Sequence, residues 1–125
     1  MSKFLNSVLV LSLSAGLNLD LIACPPNMEG GPKIAVQYIP STNIESFDKY
    51  VKEHLNFIEE QMQNGTIQSA GPFLKGEDLV GGLAIYNLSD AGKVASIVQQ
   101  DAVIKEKVFT FETHLWMQCS LKKNK

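Results

Sequence analysis

The sequence predicts an α+β domain with the strand–helix order βαββαβ, the ferredoxin-like split βαβ, as an antiparallel sheet with both helices on one face. Three observations carry this reading: a long amphipathic helix over 44–63, strand-like runs on either side of it, and a closing strand with alternating faces. At 125 residues there is room for one such domain.

The first strand is Lys33 to Ile39, where Ile34, Val36 and Tyr38 share one face and Pro40 ends the run. The helix follows, starting near Ile44 or Ser46 and ending at Gln63. Phe47, Val51, Leu55, Ile58 and Met62 recur at spacings of three and four, which keeps them on one stripe. By the same angular count His54 lies at the edge of that stripe, between Val51 and Ile58. Asn64-Gly65 is the C-terminal cap, where glycine takes the left-handed conformation.

Thr66 to Phe73 reads as a second strand interrupted by Gly71-Pro72, and Gly81 to Tyr86 as a third. The glycines of the third strand allow a bulge or a close backbone approach. Ser89 caps a second helix whose buried face is Ala91, Val94, Ala95, Val98 and Ala102. Val108 to Met117 is the last strand. It carries Phe109, Phe111, Thr113 and Leu115 on one face and Thr110, Glu112, His114 and Trp116 on the other.

Residues 1–23 read differently. One cation, Lys3, precedes the apolar run Val8 to Leu17, as in a secretory signal peptide, and the run is too short and polar for a good transmembrane helix. Leu21-Ile22-Ala23-Cys24 is similar to a bacterial lipobox, in which the cysteine thiol is acylated. Simple cleavage after Ala23 is the alternative. The expected location is therefore exported, in the periplasm or cell envelope, with membrane contact only through a lipid anchor at Cys24. Residues 24–32, rich in proline and glycine, read as a linker. Cys119 reads as a small hydrophobe at a strand end, and the spacing of the two cysteines defines no redox or zinc motif.

Net charge is −2, with 11 lysines and no arginine, so the side chain most used on phosphate and guanine is missing. A nucleic-acid partner is not expected. No phosphate loop, nicotinamide or flavin signature occurs, and no cofactor is expected. Glu112 and His114 stand two apart on one strand face, yet no further metal ligand is legible beside them.

His54, Gly65 to Phe73, Gly81 to Ile85 and Asp101 to Trp116, in that order and spacing, resemble the YCII-related (YciI-like) family across residues 33–121. The resemblance implies a ferredoxin-like fold that dimerises into an α/β barrel. It also implies a histidine–aspartate pair, carried over onto His54 and Asp101, in a cleft between sheet and helices. Two positions depart from the pattern: the family's Asp-Pro is Asp101-Ala102, and the glycine preceding Val-Phe-Thr is Lys107.

Two functions follow from these readings. One is a small acid–base enzyme, isomerase- or lyase-like, acting on a small cyclic or aromatic organic acid. There His54 is the base, Asp101 its orienter, and Tyr86, Glu112, His114 and Trp116 are pocket or interface groups. The other is a non-catalytic, envelope-tethered domain that binds a ligand or assembles as a homodimer.

Overall fold

The computed structural model describes residues 23–123, and the segment expected to direct export lies, up to residue 22, outside them. Strand β1 is Met28–Pro40, helix α1 Phe47–Gln63, β2 Ile67–Lys75, β3 Asp78–Tyr86, helix α2 Ala91–Val98, helix α3 Ala102–Lys105 and β4 Phe109–Leu121. The four strands form one sheet in the order β2-β3-β1-β4, and β3 pairs antiparallel with both β1 and β2. This is the ferredoxin-like arrangement, with the helices on one face.

The chain divides into two compact units, of which the larger is Pro32–Trp116. Its core is Ile34, Val36 and Tyr38 of β1, Ala84 and Tyr86 of β3, Val94 and Val98 of α2, and Val103, Val108 and Phe109. Branched Ile34 and Val36 of β1 and Val94 and Val98 of α2 supply stiff, compact side chains to this helix–sheet core. Gly65, at φ 83°, closes α1 in the left-handed conformation expected of a C-terminal glycine. Gly81, at φ 149°, allows the expected close approach: a Cβ there would stand 2.9 Å from the Tyr38 carbonyl oxygen.

Several expected boundaries shift. A 3-10 turn, Ile44–Ser46, precedes α1. The cap of α2 is Asp90, one residue beyond Ser89, because its carboxylate accepts from the amides of both Gly92 and Lys93. The expected second helix is two: α2 stops at Val98, and Asp101 starts a fresh turn that places Ala102 in α3. Leu115, which alternation puts on the same face of β4 as buried Phe109, is 70% exposed.

The stripe on α1 is also rotated from its expected position. Leu55 is 58% exposed, whereas Phe47, Tyr50 and Ile58 pack on the core. Tyr50 and Phe57 join the half-buried face, so His54 lies within that face and not at its edge.

The other unit contains, among described residues, 23–31 and 117–123. In it Lys122 N donates to Asn27 O and Ser120 Oγ to Glu29 O. The linker expected over 24–32 is therefore strand from Met28 onward. Paired positions between β1 and β3 run only from Ile34 to Tyr38. Before Ile34 a proline costs no ladder bond on that edge, which is how Pro32 is accommodated.

Cys24 and Cys119, 95 positions apart in sequence, form a disulfide in this unit. This corrects two expectations. Cys119 is a covalent partner, and the Cys24 thiol needed for acylation is already bonded. A sulfur cannot carry both links, so the lipid anchor at Cys24 is set aside. Among the described residues no helix is long and apolar enough to cross a membrane.

Candidate active site

The site begins with Asp101. After α2 ends, the chain turns back, and Asp101 (φ −71°, ψ 131°) takes the extended conformation of an N-cap, its Oδ1 accepting from Val103 N at 3.3 Å. That is also the conformation a residue adopts before proline. Ala102 fills the first helical position, where proline suits but is not needed. Replacement of the family's proline therefore leaves the aspartate in place.

Asp101 is fully buried. Its Oδ2 accepts from Tyr38 Oη at 2.7 Å and faces His54 Nδ1 at 2.8 Å. A buried carboxylate must be hydrogen-bonded to be tolerated, and these partners supply those bonds from β1, α1 and its own helical turn. Burial, then the charge and hydrogen bond of Asp101, push the Tyr38 hydroxyl far above its ordinary range, so it remains a donor. With both oxygens of Asp101 accepting, His54 presents N–H at Nδ1 to the carboxylate and leaves Nε2 as the free lone pair. The imidazole is further held by edge-on contacts with Tyr38 and Phe47, at ring centroid separations of 5.6 and 6.4 Å.

His54 borders a cavity of about 360 Å³ between α1 and the sheet. The cavity exists because the sheet presents Gly82 and Ala84 on β3 and Ala70 on β2 beneath α1, where larger side chains would fill the gap. Its walls include Phe47, Leu55, Ile58, Leu74, Leu79 and Phe109. Leu55 is exposed because it stands at this opening. The His54 side chain is 18% exposed, enough to meet a ligand while Asp101 stays dry behind it.

The structure thus brings His54 and Asp101 together and leaves the other candidates elsewhere. Tyr86 is not a cavity wall: it is fully buried in the core, and its hydroxyl has no hydrogen-bond partner among the described residues. Burial and the Asp101 charge hold it protonated as well. Glu112 and His114 approach each other at 3.4 Å, both more than half exposed. With Trp116 they alternate away from cavity-lining Phe109, so they belong to the opposite sheet face and not to the pocket. No third side chain joins them as a metal ligand among the described residues.

Sequence reasoning missed Tyr38 as a site residue, assigning it only to a strand face. The available signal was a hydroxyl on a face otherwise made of Ile34 and Val36, where a buried phenol needs a partner.

The fold and this site define a class of protein: a ferredoxin-like α+β domain whose helix histidine, backed by a buried aspartate, opens on an apolar cavity. No family model and no curated protein matches the chain. Among solved structures it is similar to the 5-chloro-2-hydroxyhydroquinone dehydrochlorinase from Burkholderia phenoliruptrix, in its complex with 2,5-dihydroxybenzoquinone. The two share 21% identity with a TM-score of 0.56, over 66% of this chain and 92% of that one. At that identity the likeness establishes the fold.

Proposed function

We propose that this protein is a YCII-related acid–base enzyme in which His54 Nε2 takes a proton from a small ligand held in the cavity. One observation carries the reading: the 2.8 Å contact between His54 Nδ1 and buried Asp101 Oδ2, with the imidazole edge on the cavity. The carboxylate holds the tautomer with its lone pair at Nε2 and stabilises the imidazolium once it forms. Proton abstraction, isomerisation and elimination of HCl all begin with that step. The dehydrochlorinase neighbour lends support for this type of chemistry, and an open cavity favours catalysis over a purely structural histidine.

The test is base-catalysed hydrogen–deuterium exchange and chloride release on a panel of hydroxylated rings that includes 5-chloro-2-hydroxyhydroquinone. Wild-type protein is expected to turn over at least one member, and His54→Ala to lose about two to four orders of magnitude, the usual share of a general base. Equal rates for the two proteins, at any substrate found, sink the proposal.

The same reading includes export and a homodimer. Export is supported by the apolar segment ahead of Ala23 and by the Cys24–Cys119 bond, since disulfides persist in oxidising compartments. The dimer is supported by the sheet face opposite the helices, which presents Glu112, His114 and the 42%-exposed Trp116 without a covering layer among the described residues. The family that the sequence resembles packs sheet on sheet. Light scattering on the purified protein is expected to give twice the chain mass, and a monomer contradicts the dimer.

A further inference from the structure

The charge and size of the cavity narrow the ligand of the proposed base. Among the described residues, no lysine lines the cavity, and His54 is the one lining side chain that carries a formal charge on protonation. The Tyr38 hydroxyl is already spent on Asp101. A carboxylate or phosphate entering here would shed its water against leucine, isoleucine and phenylalanine with no cation to replace it. It would also approach the negative charge of Asp101, which stands one imidazole away. Both effects act against an anion.

Size sets a second limit. About 360 Å³ is near the lower end of ligand sites, whereas a dry apolar cavity of roughly 150 Å³ accepts one benzene. One substituted ring fits with room to spare. Gly82 leaves the floor bare: a Cβ there would make only ordinary contacts, 3.7 Å from Tyr38 Cβ and 3.4 Å from Gly71 O.

Resting on the base reading above, we infer that the site admits a small, uncharged weak acid, a phenol- or enol-type molecule, and ionises it only after it is bound. The O–H bond of the ligand breaks and its proton forms an N–H bond at His54 Nε2. The electron pair stays on the ligand oxygen, and the Nδ1 proton stays on His54, directed at Asp101. The total charge of ligand, imidazole and carboxylate is the same before and after. What changes is its arrangement: the new imidazolium lies between the ligand anion and Asp101, which supplies the cation that the resting cavity lacks. The expected "organic acid" is therefore an acid through its hydroxyl, not through a carboxylate.

The probes are 4-nitrophenol and 4-nitrobenzoate, similar in size, the first changing colour when it ionises. Calorimetric titration of the full-length wild-type protein, at a pH just below the dye's own pKa, is expected to show 4-nitrophenol binding at least about tenfold more tightly than 4-nitrobenzoate. The bound dye is expected to take the absorbance of its phenolate, and His54→Ala to abolish that change. Leu55→Lys, at an exposed position on the cavity rim, is expected to raise 4-nitrobenzoate affinity by a similar factor without disturbing the fold. Equal or tighter binding of 4-nitrobenzoate by wild-type protein overturns the inference and leaves the base reading standing. Failure of both probes to bind overturns it too. Selective binding of 4-nitrophenol with no colour change, identical in His54→Ala, keeps the uncharged ligand class and removes the base.

Discussion

Tyr38 Oη donates to Asp101 Oδ2 at 2.7 Å, joining the first strand to the turn before the last across 63 positions of sequence. Asp101 is fully buried and meets no lysine among the described residues, so this bond and those from His54 and Val103 are what offset its desolvation. Tyr38 accordingly belongs to the site by the way it holds Asp101, and it also lines the cavity.

Tyr38→Phe is expected to lower stability by about 1–3 kcal/mol, the usual cost of leaving a buried acceptor short of its donor. Urea denaturation followed by circular dichroism measures this. A loss well below that range would mean that Asp101 recruits water in place of the phenol.

Tyr86→Phe should behave in the opposite way. The Tyr86 hydroxyl is buried without a partner among the described residues, so its removal is expected to be neutral or to stabilise by about 1 kcal/mol. The same denaturation assay decides the sign, and a clear destabilisation would reveal a partner such as a bound water.

Both tyrosines link stability to alkaline pH. Burial first, and Asp101 after it, raise each folded hydroxyl above its ordinary value of 10.0. A group raised on folding contributes stability that is fully present below its unfolded pKa and is lost as pH climbs through the window above it. The denaturation midpoint is therefore expected to fall from about pH 10 upward. Either tyrosine-to-phenylalanine variant should fall less steeply, and a midpoint flat to pH 11 contradicts the argument.

Lys107 lies at φ 59°, in the left-handed region that a side chain makes costly. Glycine, the residue that the family pattern places here, takes this conformation freely. Lys107→Gly is expected to stabilise by up to about 1 kcal/mol, and thermal denaturation reads it directly. Destabilisation would mean that the lysine side chain contributes more than its backbone costs.

Reduction of the Cys24–Cys119 bond is expected to lower stability, because the unfolded chain regains the freedom of a loop closed across 95 positions, a term of up to about 4–5 kcal/mol. Melting curves with and without dithiothreitol test this, together with intact mass. A lipid-sized mass increase at Cys24 would reverse the assignment of that sulfur.

Much of the fold was legible in the sequence because it rests on local periodicity. The alternation of Ile34, Val36 and Tyr38 marks a strand, the three-and-four spacing over Phe47 to Met62 marks a helix, and Asn64-Gly65 marks where it ends. His54 and Asp101 were legible too, but only through a resemblance, since nothing local pairs residues 47 positions apart. What the periodicity placed less well were positions governed by what lies opposite. Leu55 belongs to the apolar stripe by spacing and is exposed because the sheet beneath it offers glycine and alanine. Tyr86 carries the same hydroxyl as Tyr38, yet Tyr38 is bonded to the carboxylate and Tyr86 has no partner among the described residues. Pro25 to Pro32 read as a linker by composition, and Met28 onward is strand because β4 pairs alongside it. Sequence by itself determined the elements, their order and the residues able to move a proton. Tertiary structure alone decided that Cys24 meets Cys119, that Asp101 is dry, and that a cavity without a cation opens beside His54. Each of those depends on which distant groups share a low-dielectric space, and that is a property of packing, not of neighbours along the chain.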